Sequence, residues 1–212
     1  MTLPPDYDSD PERWNSWESP RDVHQTVAPE LHGPVLDAGC GEGRLASLLT
    51  GPVTWVGLDS SPAQLAANPF RPLVRADMTA LGFRDASFAE VTHLWCLYHL
   101  PDPLPAIREA SRVLRPGGRY YASTSARDND PELVPEGYPR SSFDADEAVA
   151  IVASVFGEVD GEYWDGKFYP LSTRDEIRAY CRHSYIPPER AEKLPVPLWL
   201  TKRGVLVRAT KR

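Results

Sequence analysis

Three glycines, Gly39, Gly41 and Gly43, alternate through VLDAGCGEGRLASLL, Val35 to Leu49, just after an apolar run that holds Asp37. Residues without a Cβ let a ligand lie against backbone N–H groups, which suits a turn between a strand and a helix. A dinucleotide turn would read GxGxxG. Here the third glycine arrives one residue early and Arg44 stands in its place, which argues against NAD. Two more carboxylates follow. Asp59 comes twenty residues after Gly39, where a carboxylate can accept both hydroxyls of a ribose. Asp77, in VRADMTALGF, can accept from an adenine amino group while the Met78 N–H donates to a ring nitrogen. One such aspartate alone reads as a cap or turn former. Three at successive strand ends call for a different explanation.

The elements that must carry these residues alternate. PVLDAG, VTWVGLDSS, PLVRAD, FAEVTHLWCL and GGRYYASTS read as strands. EGRLASLLTG, SPAQLAANP (Ser61 as cap, Pro62 in the first turn) and DPLPAIREASRVL read as the helices between them. Val- and Leu-rich strands separated by helices imply parallel βαβ units in a doubly wound sheet. PRDVHQTVAPELHG predicts a preceding helix ended by Gly33-Pro34, and LRPGG a structural turn into strand five. SSFDADEAVAIVASVFG predicts a helix with Phe143, Ala148, Ile151, Val152 and Val155 on one face. EVDGEYW reads as a strand, LSTRDEIRAYCRHS as a capped helix and GVLVRATK as a last strand.

Length sets the frame. A chain of 212 residues is enough for one domain with a well-buried core. No apolar run approaches a membrane span, and MTLPPDYDSDPERW lacks the basic cap and apolar stretch of an export signal. Cys40, Cys96 and Cys181 are odd in number and form no CxxC pair, so neither a disulfide framework nor a metal site is expected, and a reducing cytoplasm fits. Residues 1–162 hold 12 Lys/Arg against 25 Asp/Glu, a balance of −13, whereas residues 163–212 hold 11 against 5, a balance of +6. The acidic body argues against wrapping nucleic acid, and the basic section leaves a local anionic contact open.

VLDAGCGEGRLA, VGLDSS, RADMTALGF, FAEVTHLWCLYHLPDP and REASRVLRPGGRYYAST, taken together, resemble the consecutive motifs of class I S-adenosylmethionine (SAM)-dependent methyltransferases. The small-molecule type is the nearest match. The resemblance covers Val35 to Thr124 and implies a Rossmann-like seven-stranded sheet, helices on both faces, with an antiparallel last strand. It implies that Asp37 and the Gly39 and Gly41 backbone face the methionine end of the cofactor, and that the His93 carbonyl accepts from its amino group. Asp59 and Ser60 would meet the ribose, Asp77 and Met78 the adenine. The expected division is an N-terminal segment 1–33, a SAM-binding core 34–163, an insertion 164–203 and a final strand 204–212.

On the acceptor side, the segment after strand four lacks the NPPY-type sequence of many DNA and protein amide methylators. It offers Trp95, Tyr98 and His99 instead. His99 matches a histidine common in small-molecule members and reads either as a base for an acceptor hydroxyl or amine, or as a hydrogen-bonded histidine near a helix start. Trp95 and Tyr98 line the acceptor pocket or pack the core. Trp14 and Trp17, in a polar N-terminus, form a lid or dock on the outside of the sheet. With Trp164, Phe168 and Tyr169 of the insertion they would roof the acceptor. The resulting expectation is methyl transfer from SAM to a small-molecule acceptor, leaving S-adenosylhomocysteine, by a monomer or homodimer. An RNA-directed methyltransferase and a SAM-binding protein without transferase activity stand beside it.

Overall fold

The computed structural model describes residues 22–134, 141–184 and 186–212. Its strands are β1 (Val35–Ala38), β2 (Trp55–Asp59), β3 (Leu73–Arg75), β4 (Phe88–Leu94), β5 (Leu114–Ser125), β6 (Val159–Leu171) and β7 (Leu198–Thr210). They form one seven-stranded sheet in the order β3-β2-β1-β4-β5-β7-β6. β1 to β5 run parallel, and β7 runs antiparallel to both β5 and β6. The expected doubly wound sheet with an antiparallel last strand is therefore present.

Helices cover both faces, as the buried runs in the strands require. On one face α3 (Leu104–Val113) and α4 (Ala145–Phe156) bury Ile107, Ala110, Ala148 and Val152 against Leu36, Val91 and Val207. Fully burying a residue such as Ile107 or Leu36 contributes about 1.5–3 kcal/mol. On the other face α1 (Val23–Val27) packs Val23 and Val27 with Trp55, Tyr121 and Leu206. The caps follow the sequence. Ser61 accepts from the Gln64 N–H at the start of α2 (Pro62–Ala67), and α5 (Arg174–His183) opens with a Thr173–Glu176 capping box.

Several boundaries differ from the expected ones. The stretch after β1 forms turns and a 3-10 segment, Ala46–Leu48, in place of a helix. Gly43 at φ 90° is incompatible with helix, and the Ser47 hydroxyl bonds back to the Arg44 carbonyl. The first helix stops at Val27 and passes into a 3-10 turn, Ala28–Glu30, because Pro29 has no N–H to continue the ladder. LRPGG lies inside β5 as a bulge: Phe88 pairs with Leu114 and Glu90 with Arg119, and Gly117 turns there at φ 76°. β6 continues to Leu171 and β7 starts at Leu198, not Gly204. Residues 164–171 and 198–203 are thus mostly the paired ends of two long strands, carrying their own core of Leu171, Leu198 and Leu200 with Ile177, Tyr180 and Cys181 of α5. Gly204 is required in this arm. A Cβ there would lie 2.3 Å from Trp164 Cζ2 and 2.6 Å from the Thr124 carbonyl oxygen.

Candidate cofactor and acceptor site

The chain runs outward from β1 through β2 to β3, then returns to the other side of β1 as β4. That reversal places a crevice at the carboxyl ends of β1 and β4, the position where open α/β sheets bind ligands. Gly39, Gly41 and Gly43 follow β1 with φ of 85°, 49° and 90°, a region closed to most side chains. A Cβ on Gly39 would sit 2.7 Å from Cys96 Sγ and 3.4 Å from Met78 Cε. The first turn therefore touches the segments after β4 and β3.

Asp59 closes the arrangement. Its Oδ2 accepts the Gly41 N–H at 2.9 Å and its Oδ1 accepts the Ser61 N–H at 2.9 Å. Its carbonyl takes the Ala76 N–H at 3.2 Å, while the Ser60 carbonyl accepts from Arg75 Nε at 3.3 Å. Asp77 lies exposed past β3, with Oδ1 accepting from both the Thr79 N–H and hydroxyl at 2.8 Å. The structure thus brings Gly39, Gly41, Asp59, Ser60, Asp77 and Met78 to one edge of the sheet.

Asp37 differs from its expected place. The resemblance points its carboxylate at a ligand, but it is 3 % exposed and accepts from the Thr92 hydroxyl at 2.8 Å and from Trp55 Nε1 at 3.4 Å. These bonds turn it into the sheet, where it fixes β1 against β4 and β2. Burial pushes its pKa up to about 6, against the opposing pull of the Thr92 bond and the His24 charge. His93, on the opposite face, is fully buried with Nδ1 2.9 Å from the Tyr120 hydroxyl, and burial drives it down to about 3.

Past β4 the chain turns sharply. Trp95 takes φ 57°, held by its N–H on Ser123 Oγ at 3.2 Å and on the Ser123 carbonyl at 3.3 Å. A non-glycine residue in this region costs about 1–3 kcal/mol, a strain that clusters at functional sites. The Trp95 ring meets Trp164 of β6 edge-on at 6.0 Å, which brings β6 beside this turn. Tyr98 and His99 follow in a 3-10 turn with rings 4.4 Å apart, and burial pushes His99 down to about 4. Phe168 is exposed and Tyr169 faces Tyr180 in the arm's own core. Trp14 and Trp17 lie outside the described residues.

Sequence reasoning passed over Asn68, which holds the glycine turn from behind, and the partner of Arg44. Asn68 is 1 % exposed and donates to the Gly41 carbonyl at 2.9 Å. Arg44 reaches Asp22, the cap of α1, with Nη2 at 2.5 Å. Burial would raise Asp22, but bonds from His24 and Arg44 hold its carboxyl well below the usual range. An asparagine just after a helix carries no signal in one sequence, whereas Arg44 was marked by standing where a third glycine would.

A profile of the methyltransferase domain family matches residues 36–122, the stretch that supplies each of these turns. The chain resembles the class I SAM-dependent methyltransferases over that stretch. Among similar members, 27-O-demethylrifamycin SV methyltransferase of Amycolatopsis mediterranei is 32% identical over 170 residues, 74% of this chain and 55% of its own length. The YcgJ protein of Bacillus subtilis has the same fold, with a TM-score of 0.66 at 19% identity over 90% of this chain and 97% of its own. A Haemonchus contortus phosphoethanolamine N-methyltransferase, solved with S-adenosylhomocysteine, superposes with a TM-score of 0.64 at 14% identity, covering 98% of this chain and 58% of its own. The chain spans between 35% and 55% of the length of the first curated relatives it matches.

Proposed function

We propose that this chain transfers the methyl group of SAM to a small-molecule acceptor. The observation that carries the reading is the mutual contact of three successive strand-end turns: Gly41 bonded to Asp59, Asp59 bonded to Ala76, and Gly39 against Met78. Residues at this edge fit a nucleoside bearing an amino acid. The Asp59 carboxylate would hold the ribose with Ser60 beside it, and Asp77 with the Met78 N–H would read the adenine edge. The Gly39–Gly41 backbone and the His93 carbonyl would take the methionine end. Asp37 acts behind them by keeping β1 in register.

The bound cofactor supplies a methyl group on a sulfonium, so the protein's part is alignment and exclusion of water. Gly39, Gly41, Asp59 and Asp77 would hold the cofactor so that its methyl is offered to an acceptor lone pair, with the sulfur as a neutral leaving group. His99, neutral because of its burial, would take the proton that the methylated hydroxyl or amine releases. An attacked hydroxyl becomes acidic enough to protonate even a weak base. The Trp95–Trp164 contact supports placing the 164–203 segment beside the acceptor, with Tyr98 on the same turn as His99.

An RNA-directed reading needs a free basic face in residues 163–212. Instead Lys202 pairs with Asp130, Arg203 with Asp128 and Asp165, Arg208 with Glu30 and Glu162, and Arg178 with Asp175 and Glu192. Titration calorimetry tests the proposal: S-adenosylhomocysteine binds at one site per chain and NAD gives no heat. Incubation with labelled SAM and a metabolite extract then yields labelled small molecules. Tight NAD binding without a response to S-adenosylhomocysteine would overturn it.

A further inference from the structure

The turn assigned above to adenine belongs to a long connection, residues 76–87, with no regular secondary structure between β3 and β4. Asp77 itself is exposed, and its carboxylate bonds only to Thr79 among the described residues. Something else must fix where it stands. We propose that Arg112 and Glu109, on α3, are positioning residues for the base-reading turn, setting the place of Asp77 and Met78 through Leu81. The inference rests on the cofactor reading of the preceding subsection.

Arg112 spends all five of its guanidinium N–H groups on this task. Nε donates to Glu109 Oε1 at 2.7 Å, and Nη2 to Glu109 Oε2 and the Leu81 carbonyl, both at 2.8 Å. Nη1 donates to the Phe83 carbonyl at 2.8 Å and to Asp85 Oδ1 at 2.6 Å. Glu109 Oε2 in turn accepts the Leu81 N–H at 2.7 Å. Leu81 is therefore held by both its backbone groups, its side chain buried in the core. The Ala86 N–H closes the far end on the Arg112 carbonyl at 3.1 Å. On the near side the Ala80 N–H bonds to the Asp77 carbonyl at 3.1 Å, so the turn joins Leu81 without slack.

A planar fork bonded along both edges fixes direction as well as distance, which an ammonium cannot do. The connection would keep its apolar anchors without Arg112, since Leu81 and Phe83 pack on their own, the latter edge-on to Phe88 at 5.0 Å. What it would lose is the aim of Asp77. An error in aim is felt by a ligand that offers the adenine edge, with the 6-amino group as donor and the adjoining ring nitrogen as acceptor.

The experiment compares S-adenosylhomocysteine with S-inosylhomocysteine by calorimetry on the full chain. The inosyl ligand carries an oxygen in place of that amino group and a hydrogen on the adjoining ring nitrogen, and so lacks both the donor for Asp77 and the acceptor for the Met78 N–H. The wild-type protein should prefer the adenosyl ligand by at least about tenfold, the scale of one hydrogen bond to a charged group. R112K should lower affinity for the adenosyl ligand to near that of the inosyl one, leaving the inosyl affinity within about twofold. Asp77→Ala should remove the part of the preference owed to the amino group, and the two changes together should cost no more than R112K alone. Glu109→Gln, which keeps an acceptor for Leu81, serves if R112K melts early and should give a partial collapse of the ratio. Equal weakening of both ligands, or an unchanged ratio in a folded variant, overturns the positioning role while leaving the cofactor reading intact. Absence of S-adenosylhomocysteine binding by the wild-type protein removes both.

Discussion

Asp59 accepts the Gly41 N–H at 2.9 Å, so one side chain both ends β2 and holds the glycine turn that follows β1. The carboxylate thus carries a structural bond and, on the proposed function, two ribose bonds. Asp77 carries only a local turn and one base contact. Asp59→Ala should weaken S-adenosylhomocysteine binding more than tenfold and exceed the loss in Asp77→Ala, with each charged hydrogen bond contributing about 1.5–3 kcal/mol. Asp59→Ala should also lower the melting temperature without ligand, while Asp77→Ala leaves it near wild type. Calorimetry and thermal melts on the same preparations check both halves.

Asp37 should make the fold more stable in mild acid than its absence would. Burial raises its folded pKa from 3.8 to about 6, so between those values the folded chain holds a proton that the unfolded chain releases. Its contribution is present below pH 4 and fades as pH rises through 6, a swing of up to about 3 kcal/mol. His93 and His99, depressed by burial, pull the other way over the same range, so the comparison must be with Asp37→Asn. Urea denaturation should find the variant gaining on wild type from pH 4.5 to 7.5. A constant difference between the two would contradict the shift.

His99 should already be neutral at every pH where the protein is folded and active. Its ring titration, followed by nitrogen NMR, should have a midpoint near 4 rather than the ordinary 6.5. Turnover with an identified acceptor should then show no acid limb near pH 6.5 from this group. His99→Gln should lower kcat while S-adenosylhomocysteine affinity stays within about twofold, since the cofactor contacts lie elsewhere.

Lys202 and Asp130 should hold the outer arm in place. Lys202 Nζ lies 2.7 Å from Asp130 Oδ1, and Asp130 accepts the Tyr180 hydroxyl at 2.8 Å while taking φ 55°. Removing one member strands the other in a largely buried setting, at a cost of about 3–5 kcal/mol. Lys202→Ala should expose residues 172–197 to limited proteolysis and leave cofactor binding unchanged. Cleavage spread evenly across the chain would show that the arm is not a separate unit of stability.

The parallel sheet and the turns at its carboxyl edge were legible because each rests on a local rule. Glycine at positive φ, Ser61 before Pro62 and the Thr173–Glu176 spacing each announce their geometry within four residues. The long contacts were not. That Thr92 and Trp55 would take the Asp37 carboxylate, or that Arg112 would grip Leu81, depends on which strands become neighbours. β6 and β7 overran their expected ends for a similar reason. The bulge at Lys167 and the turn of Trp95 toward Trp164 are decided by cross-strand packing rather than by composition.

The place of β7 bears on how the chain is made. β7 is the last of the seven strands to be synthesised, yet it lies between β5 and β6, which have no ladder with each other. Until residues 198–210 leave the ribosome, β5 ends the sheet with an open edge and β6 has nothing to pair with. Open edges of this kind recruit other chains. A nascent chain stalled before Leu198 should thus present the parallel half folded, the outer arm unformed, and a binding site for holding chaperones that vanishes within the synthesis of one strand.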